Sequence, residues 1–174
     1  MSTAARQATN HEGGGALLPP SLQTSGEKSL FPADFAGIDD LVEACWAAVK
    51  DGLNLRGYSS RQEKIHLALH ETLVNAWQHG NHRRPDLPII FRWRFADDLT
   101  FEVLDAGQGF SCQTRAEPFT LDRLTSENGR GLAIIRFCSD NVCWERDGSH
   151  VIITFAHPLA CTPQVVVTPS LLDL

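Results

Sequence analysis

Glu71 and Asn75 lie four residues apart in a segment with helical spacing, so we expect both side chains on one helix face. Magnesium is a hard, octahedral ion that takes few protein ligands beside phosphate oxygens and water, and an Asn oxygen is a suitable ligand. Glu71, one turn away, could accept the proton of an attacking hydroxyl or water. Taken alone, the pair also fits an exposed polar helix surface.

A second motif ends an apolar strand with an acid and two glycines, which are Asp105, Gly107 and Gly109. A carboxylate at this position can accept a hydrogen bond from an exocyclic amine such as adenine N6. The glycines allow the backbone to approach a flat ring closely. A plain turn has the same composition, so this motif is also open to a structural interpretation.

In the third motif, Gly129 and Gly131 flank Arg130 where a helix is expected to begin. Backbone N–H groups at the start of a helix favour anions such as phosphate. The alternative is a helix entry that merely needs unusual backbone angles. Together, in this order and at these spacings, the three motifs predict a magnesium-nucleotide pocket with a movable cover.

The composition narrows the class of protein. A chain of 174 residues with a net charge of −6 is one domain with tails, and its acidity argues against direct nucleic-acid binding. Its five cysteines form no CxxC pair, so we expect neither disulfides nor structural zinc. We therefore expect a cytoplasmic location, where thiols stay reduced. Cys45, Cys138 and Cys143 are predicted to be small core residues. No apolar run is long enough for a membrane span.

Hydrophobic periodicity predicts the elements that must position these motifs. We expect helices at 38–50, ending near Gly52, from Ser59 or Ser60 to about His79, and at 130–138. Glu63 would form a capping box at the start of the second helix. We expect strands at 28–31, 89–95, 99–104, 141–146 and 150–155. This order predicts an α+β fold. It would be a two-layer α/β sandwich whose mixed, mostly antiparallel sheet is covered on one face by three helices.

The predicted domain organisation follows from the same pattern. Residues 1–26 are rich in Gly, Pro and small polar residues and are predicted to be a flexible arm. Residues 27–157 would form the nucleotide-binding domain, and 158–174 a C-terminal tail. The long aperiodic stretch at 111–128 is expected to be functional or mobile.

These motifs resemble those of a known superfamily. The string from Glu71 through Asn75, His79 and Gly80 to Asn81 is similar to the N box of the Bergerat-fold ATPases, the superfamily of gyrase, histidine kinases and mismatch-repair ATPases. Its N-A-x-x-H-G-N form resembles that of the anti-sigma-factor serine kinases. The motifs at 105–110 and 129–135 resemble the two glycine boxes, and the stretch at 148–151 resembles the G-T-x-V turn, with serine replacing threonine.

The resemblance implies a role for each matching residue. Glu71 would be the catalytic base, Asn75 the ligand of magnesium and Asp105 the residue that binds adenine of ATP. Residues 111–128 would form the ATP lid. The other residues implied in nucleotide binding are His79, Gly107, Gly109, Gly129, Arg130, Gly131, Leu132 and Ser149.

Two functions are compatible with this resemblance. The first is an ATP-dependent protein-serine kinase that phosphorylates a small antagonist protein and sequesters a sigma factor or similar partner, as Glu71 favours. The second is a non-catalytic ATP-sensing switch. The second is favoured by Glu127-Asn128, which stands where related kinases can place a basic residue. Either would act without direct contact with nucleic acid or membrane, and a homodimer is possible.

Overall fold

The computed structural model describes residues 24–107 and 130–161. Its strands are β1 (Ser25–Leu30), β2 (Ile89–Phe95), β3 (Leu99–Asp105), β4 (Asn141–Glu145) and β5 (His150–Phe155), and its helices are α1 (Ile38–Leu55), α2 (Gln62–Asn75) and α3 (Arg130–Cys138). Short 3₁₀ turns lie at Pro32–Asp34, Ser59–Arg61, Arg146–Gly148 and Pro158–Cys161, and a π-helical turn lies at Ala76–Gly80. None of the helices within these ranges combines the length and hydropathy of a membrane span.

The strands form one sheet in the order β1-β2-β3-β5-β4, and all four pairings are antiparallel. Residues of β2 and β3 alternate between buried and partly exposed, so one face of the sheet carries the core. Phe91, Phe101 and Phe155 meet edge to face across three strands, with ring centroids 5.3 and 5.5 Å apart. The predicted α+β sandwich with three helices is confirmed, but the described sheet is wholly antiparallel and not mixed as predicted.

Helix α1 is longer than predicted, because it continues through Gly52 to Leu55. Gly52 was expected to end the helix, but it is buried inside it. A Cβ atom at this position would lie 2.8 Å from Cε2 of Phe95. The glycine therefore permits close packing of the helix on strand β2, and the prediction of a helix end near residue 52 was wrong.

Helix α2 differs from the prediction at both ends. Ser59 lies in the preceding 3₁₀ turn and donates its hydroxyl to Asn54 Oδ1 at 3.1 Å, and the N-cap residue, Arg61, makes no side-chain capping bond. The predicted capping box with Glu63 is therefore absent. At its other end α2 ends at Asn75 and widens into the π-helical turn, closed by the Asn81 N–H and the Ala76 carbonyl at 2.7 Å.

The remaining elements agree closely with the periodicity. Strand β2 and helix α3 have the predicted bounds, and β3, β4 and β5 differ from theirs by at most one residue. Strand β1 starts at Ser25 and ends at Leu30, earlier than expected at both ends. Cys45 and Cys138 are buried as predicted, but Cys143 is exposed. It pairs with Ile152 in the row of side chains that faces away from the helices.

Candidate functional site

The last turn of α2 and the first turn of α3 meet at Glu71, Asn75 and Gly131. A Cβ atom at Gly131 would lie 2.9 Å from Glu71 Oε2 and 3.3 Å from both terminal atoms of Asn75. The Glu71 side chain is 20% exposed, so it remains accessible from the start of α3. The structure thus brings together the predicted base, the predicted metal ligand and the second glycine motif.

Asn75 has an unmet hydrogen-bonding capacity. Its Nδ2 atom is buried and has no partner within the described residues. The neighbouring Thr72 is also buried, but its hydroxyl donates to the Ala68 carbonyl at 2.7 Å and is satisfied. A buried polar atom without a partner is destabilising, which marks the Asn75 amide as a group that a bound molecule would complete.

At the end of β3, the Asp105 carboxylate is held between two glycines. A Cβ atom at Gly80 would lie 2.2 Å from Asp105 Cγ, and one at Gly107 would lie 2.0 Å from the Gly80 carbonyl oxygen. The Gly107 N–H donates to Asp105 Oδ1 at 2.9 Å. Only residues without a side chain fit here, so both glycines serve close approach of the π-helical turn to β3.

Burial raises the pKa of the Asp105 carboxyl to about 6, while the Gly107 N–H bond and the charge of His82 act in the opposite direction. Desolvation disfavours the ionised form, and the two favourable contacts offset it only in part. A carboxylate that is costly to ionise inside a cleft is a functional-site candidate. Among the described residues, the only hydrogen bond that this carboxylate accepts is the one from Gly107, at Oδ1.

Asn81 organises this end of the cleft, and the sequence analysis assigned it no role. It is 0% exposed; its Nδ2 donates to the Leu87 and Pro88 carbonyls at 3.1 and 3.2 Å, and its Oδ1 accepts the Ala106 N–H at 2.9 Å. It therefore fastens the turn after α2 to the start of β2 and to the Asp105 loop. Its place at the end of the N-A-x-x-H-G-N form was the available signal, although an Asn directly after a Gly is also typical of ordinary helix ends.

The other predicted site residues do not all line the cleft. Leu132 lines the cleft, while Arg130 and His79 are exposed. The Ser149 hydroxyl donates to the Arg146 carbonyl within its own turn at 2.9 Å, and the Ser149 carbonyl accepts the Asp105 N–H at 2.9 Å. Ser149 therefore supports Asp105 through its backbone. Gly109, Gly129 and the predicted lid at 111–128 lie outside the described residues.

The cleft between α2, α3 and the sheet is lined mostly by apolar residues, with a few polar ones among them. It is lined by Thr72, Asn75, Ala76, Gly80, Val103, Asp105, Leu132, Ile135, Trp144, Gly148 and Val151. Trp144 has no signal in the sequence, because nothing in its spacing connects it with the three motifs. An apolar cleft with a few polar groups is the usual form of a small-molecule site.

A comparison with family models matches residues 41–155 to the histidine kinase-like ATPase domain. The chain belongs to this family. The match runs from within α1 to the end of β5, so it includes each of the three motifs. Membership of the family indicates ATP binding and a regulatory role. A comparison with curated proteins gave no match.

The family assignment also bears on the metal. Within 24–107 and 130–161, no group of three or more His, Cys, Asp or Glu side chains is suited to hold an ion. A metal in this cleft would therefore depend on few protein ligands and on the phosphates of the nucleotide, which is the usual arrangement for magnesium. The side-chain oxygen of Asn75, which lines the cleft, is a ligand of the kind that magnesium takes.

Proposed function

We propose that this protein is a magnesium-dependent protein-serine kinase that uses ATP to phosphorylate a small antagonist protein. The observation that carries the proposal is the meeting of Glu71 and Asn75 with Gly131 at the start of α3. A carboxylate, an amide and backbone N–H groups are there held side by side at one end of an apolar cleft. Asp105 lies at the same cleft and supplies an acceptor for the adenine amine.

Asn75 would hold the magnesium ion through its side-chain oxygen, together with phosphate oxygens of ATP. When bound, the ion would neutralise the charge that develops on the phosphates. The position of the Asn75 side chain supports this role, because both of its terminal atoms would lie 3.3 Å from a Cβ atom at Gly131, at the start of α3. The absence of a side chain at Gly131 leaves the phosphates access to the first N–H groups of α3.

Glu71 would act as the general base. In the proposed step it takes the proton of a serine hydroxyl, the serine oxygen forms a bond to the γ-phosphorus, the bond to the bridging oxygen breaks, and ADP leaves. The side chain is part-exposed and next to Gly131, so a protein substrate can approach it. This arrangement favours the kinase over a purely ATP-sensing switch, which would need no base.

The partners in this proposal are a small antagonist protein, as the substrate, and a sigma factor or similar regulator that the kinase sequesters. The N-A-x-x-H-G-N form at 75–81 supports this subfamily. We further propose a cytoplasmic location, where thiols stay reduced, since Cys45, Cys138 and Cys143 are free.

Calorimetry with ATP, in the presence and absence of magnesium, tests the binding part of the proposal. The wild-type chain should bind ATP more tightly with magnesium, and Asn75→Ala should lose that dependence. Asn141→Ala is the matched control, because Asn141 is exposed on the edge strand β4 and does not line the cleft. Equal binding with and without magnesium in the wild type would contradict the role of Asn75.

Incubation with γ-labelled ATP and a candidate antagonist protein tests the transfer part. The label should appear on a serine of the antagonist, and only in the presence of this chain. Tight ATP binding with no transfer to any antagonist would instead establish the non-catalytic switch.

A further inference from the structure

The cleft contains a buried hydrogen-bond donor that the proposed function leaves unused. Trp144 lies on β4, pairs with Val151 of β5 and lines the cleft beside it. Its indole nitrogen is buried and has no hydrogen-bond partner among the described residues. Because buried tryptophan N–H groups usually find an acceptor, this donor indicates a missing partner.

The orientation of the Trp144 ring is restrained by its neighbours. The Arg136 guanidinium carbon lies 5.0 Å from the centre of the indole ring, at cation–π distance. Leu132 and Ile135 of the same helix line the cleft together with Trp144. The ring is therefore held between α3 and the sheet, and a ligand in the cleft would meet a fixed donor.

Two other tryptophans show why the position of Trp144 matters. Trp77 and Trp93 also have buried indole nitrogens without partners. Trp93, however, stacks on Phe91 with centroids 5.5 Å apart, and a Cβ atom at Gly26 would lie 2.2 Å from its ring. Of the three, Trp144 lines the cleft that also holds Asp105 and Asn75.

The sheet register places Trp144 opposite Asp105 across the cleft. Val103, Val151 and Trp144 form one row on adjacent strands, so Trp144 and Val103 are two strand spacings, about 10 Å, apart. Asp105 follows Val103 by two residues on β3 and therefore lies on the same face. The cleft thus has an acceptor on one strand and a donor two strands away.

We propose that Trp144 contributes to purine binding by donating its indole N–H to a ring nitrogen of the base, while Asp105 accepts from the exocyclic amine. This inference rests on the proposed binding of ATP. Adenine has both an amine and unsubstituted ring nitrogens. Guanine has a carbonyl where adenine has its amine, so it would meet the Asp105 carboxylate unfavourably.

Calorimetry on the full chain with Trp144→Phe tests the donor. Phenylalanine keeps an aromatic ring and removes only the N–H and part of the ring area. We expect ATP to bind about tenfold more weakly, because a buried purine nitrogen would lose its donor. Trp93→Phe is the matched control and should bind ATP as the wild type does.

Two measurements on the wild-type chain keep the test independent of the folding of the variant. The Trp144 indole N–H resonance should shift downfield on addition of ATP, while that of Trp93 should not. Among deaza-ATP analogues that each replace one ring nitrogen by C–H, one should bind the wild type about tenfold more weakly than ATP does. The same analogue should show no further loss with Trp144→Phe.

The outcomes separate this inference from the function on which it rests. If the wild type fails to bind ATP at all, the proposed function fails and the role of Trp144 with it. If the wild type binds ATP, but the indole resonance does not move and no deaza analogue is weakened, ATP binding stands and the role of Trp144 is overturned.

Discussion

Buried polar groups at the two ends of the sheet differ in whether they have hydrogen-bond partners. At the end formed by the start of β3 and the finish of β5, the Tyr58 hydroxyl donates to the Phe155 carbonyl at 3.3 Å and accepts the Leu99 N–H at 3.0 Å. Arg61 there donates to the Ala156 carbonyl at 2.8 Å and is paired with Asp140. Each of these groups is satisfied by the chain itself.

At the other end of the sheet, Asn75 and Trp144 have buried nitrogens without partners in the described structure, and burial raises the pKa of Asp105 to about 6. The Tyr58 hydroxyl and the Arg61 guanidinium avoid this cost, whereas the indole nitrogen of Trp93 on β2 shares it outside the cleft. Since the same fold provides both ends, the difference is best explained by function: one end stabilises the domain and the other is completed by a ligand.

The largest effect that would sharpen this comparison is expected at Glu71. Glu71→Gln should reduce phosphotransfer by about 10²–10⁴-fold, the usual contribution of a general base, with ATP affinity and thermal stability nearly unchanged. Glu63→Gln is the control, because Glu63 is an exposed residue in the first turn of the same helix. Transfer at the wild-type rate by Glu71→Gln would place the base elsewhere.

Asp105→Asn should have the next largest effect. It should weaken ATP binding by about 1.5–3 kcal/mol, because a charge-assisted hydrogen bond to the adenine amine is lost. Unfolding in urea at pH 7 should show no loss of stability, since asparagine removes a costly buried charge and its oxygen can still accept the Gly107 N–H. Asp97→Asn, in the exposed turn before β3, should change neither quantity. Unaltered ATP affinity for Asp105→Asn would remove the adenine assignment.

Tyr58→Phe should lower stability and leave ATP affinity unchanged, which is the reverse of the effects expected for Asp105→Asn. Removal of the hydroxyl leaves the Leu99 N–H and the Phe155 carbonyl without their partner, which should cost about 1–3 kcal/mol of unfolding free energy. ATP affinity of the folded protein should stay at the wild-type value. A loss of affinity comparable to the loss of stability would mean that the two ends of the sheet are coupled, and the comparison would break down.

The smallest effect is a pH dependence of stability. Because the pKa of Asp105 in the folded state is raised to about 6 from 3.8, the folded state binds a proton more tightly than the unfolded state does. The contribution of Asp105 to the unfolding free energy should therefore fall as pH rises from about 4 to about 6. Urea titrations across this range should show this fall in unfolding free energy for the wild type and not for Asp105→Asn. Parallel curves would show that Asp105 titrates normally.

Local patterns were enough to predict most of the fold. The alternation at 89–95 and the apolar spacing at 130–138 defined β2 and α3 with correct bounds, since each element buries one face and its period shows which. The errors came where long-range contacts override local preference. Gly52 remains helical because Phe95 packs against it, and Ser59 bonds to Asn54 in place of capping α2.

Cys143 shows the same limit on a strand. Its type favours burial, but its place in the alternation of β4 turns it away from the helices, where it is exposed. Residue type and strand register made competing predictions here, and the register decided the outcome.

The sequence by itself determined the three motifs, their order and the family, because glycines, carboxylates and an amide at fixed spacings are local properties of the chain. It identified Glu71, Asn75 and Asp105 as candidates without showing that they share one cleft. Only the tertiary structure brought Gly131 against Glu71 and Asn75, and the buried Asn81 against the Asp105 loop. It alone placed Trp144 in the cleft, because strand order and register, which depend on the packing of the whole domain, set which side chains meet across the sheet.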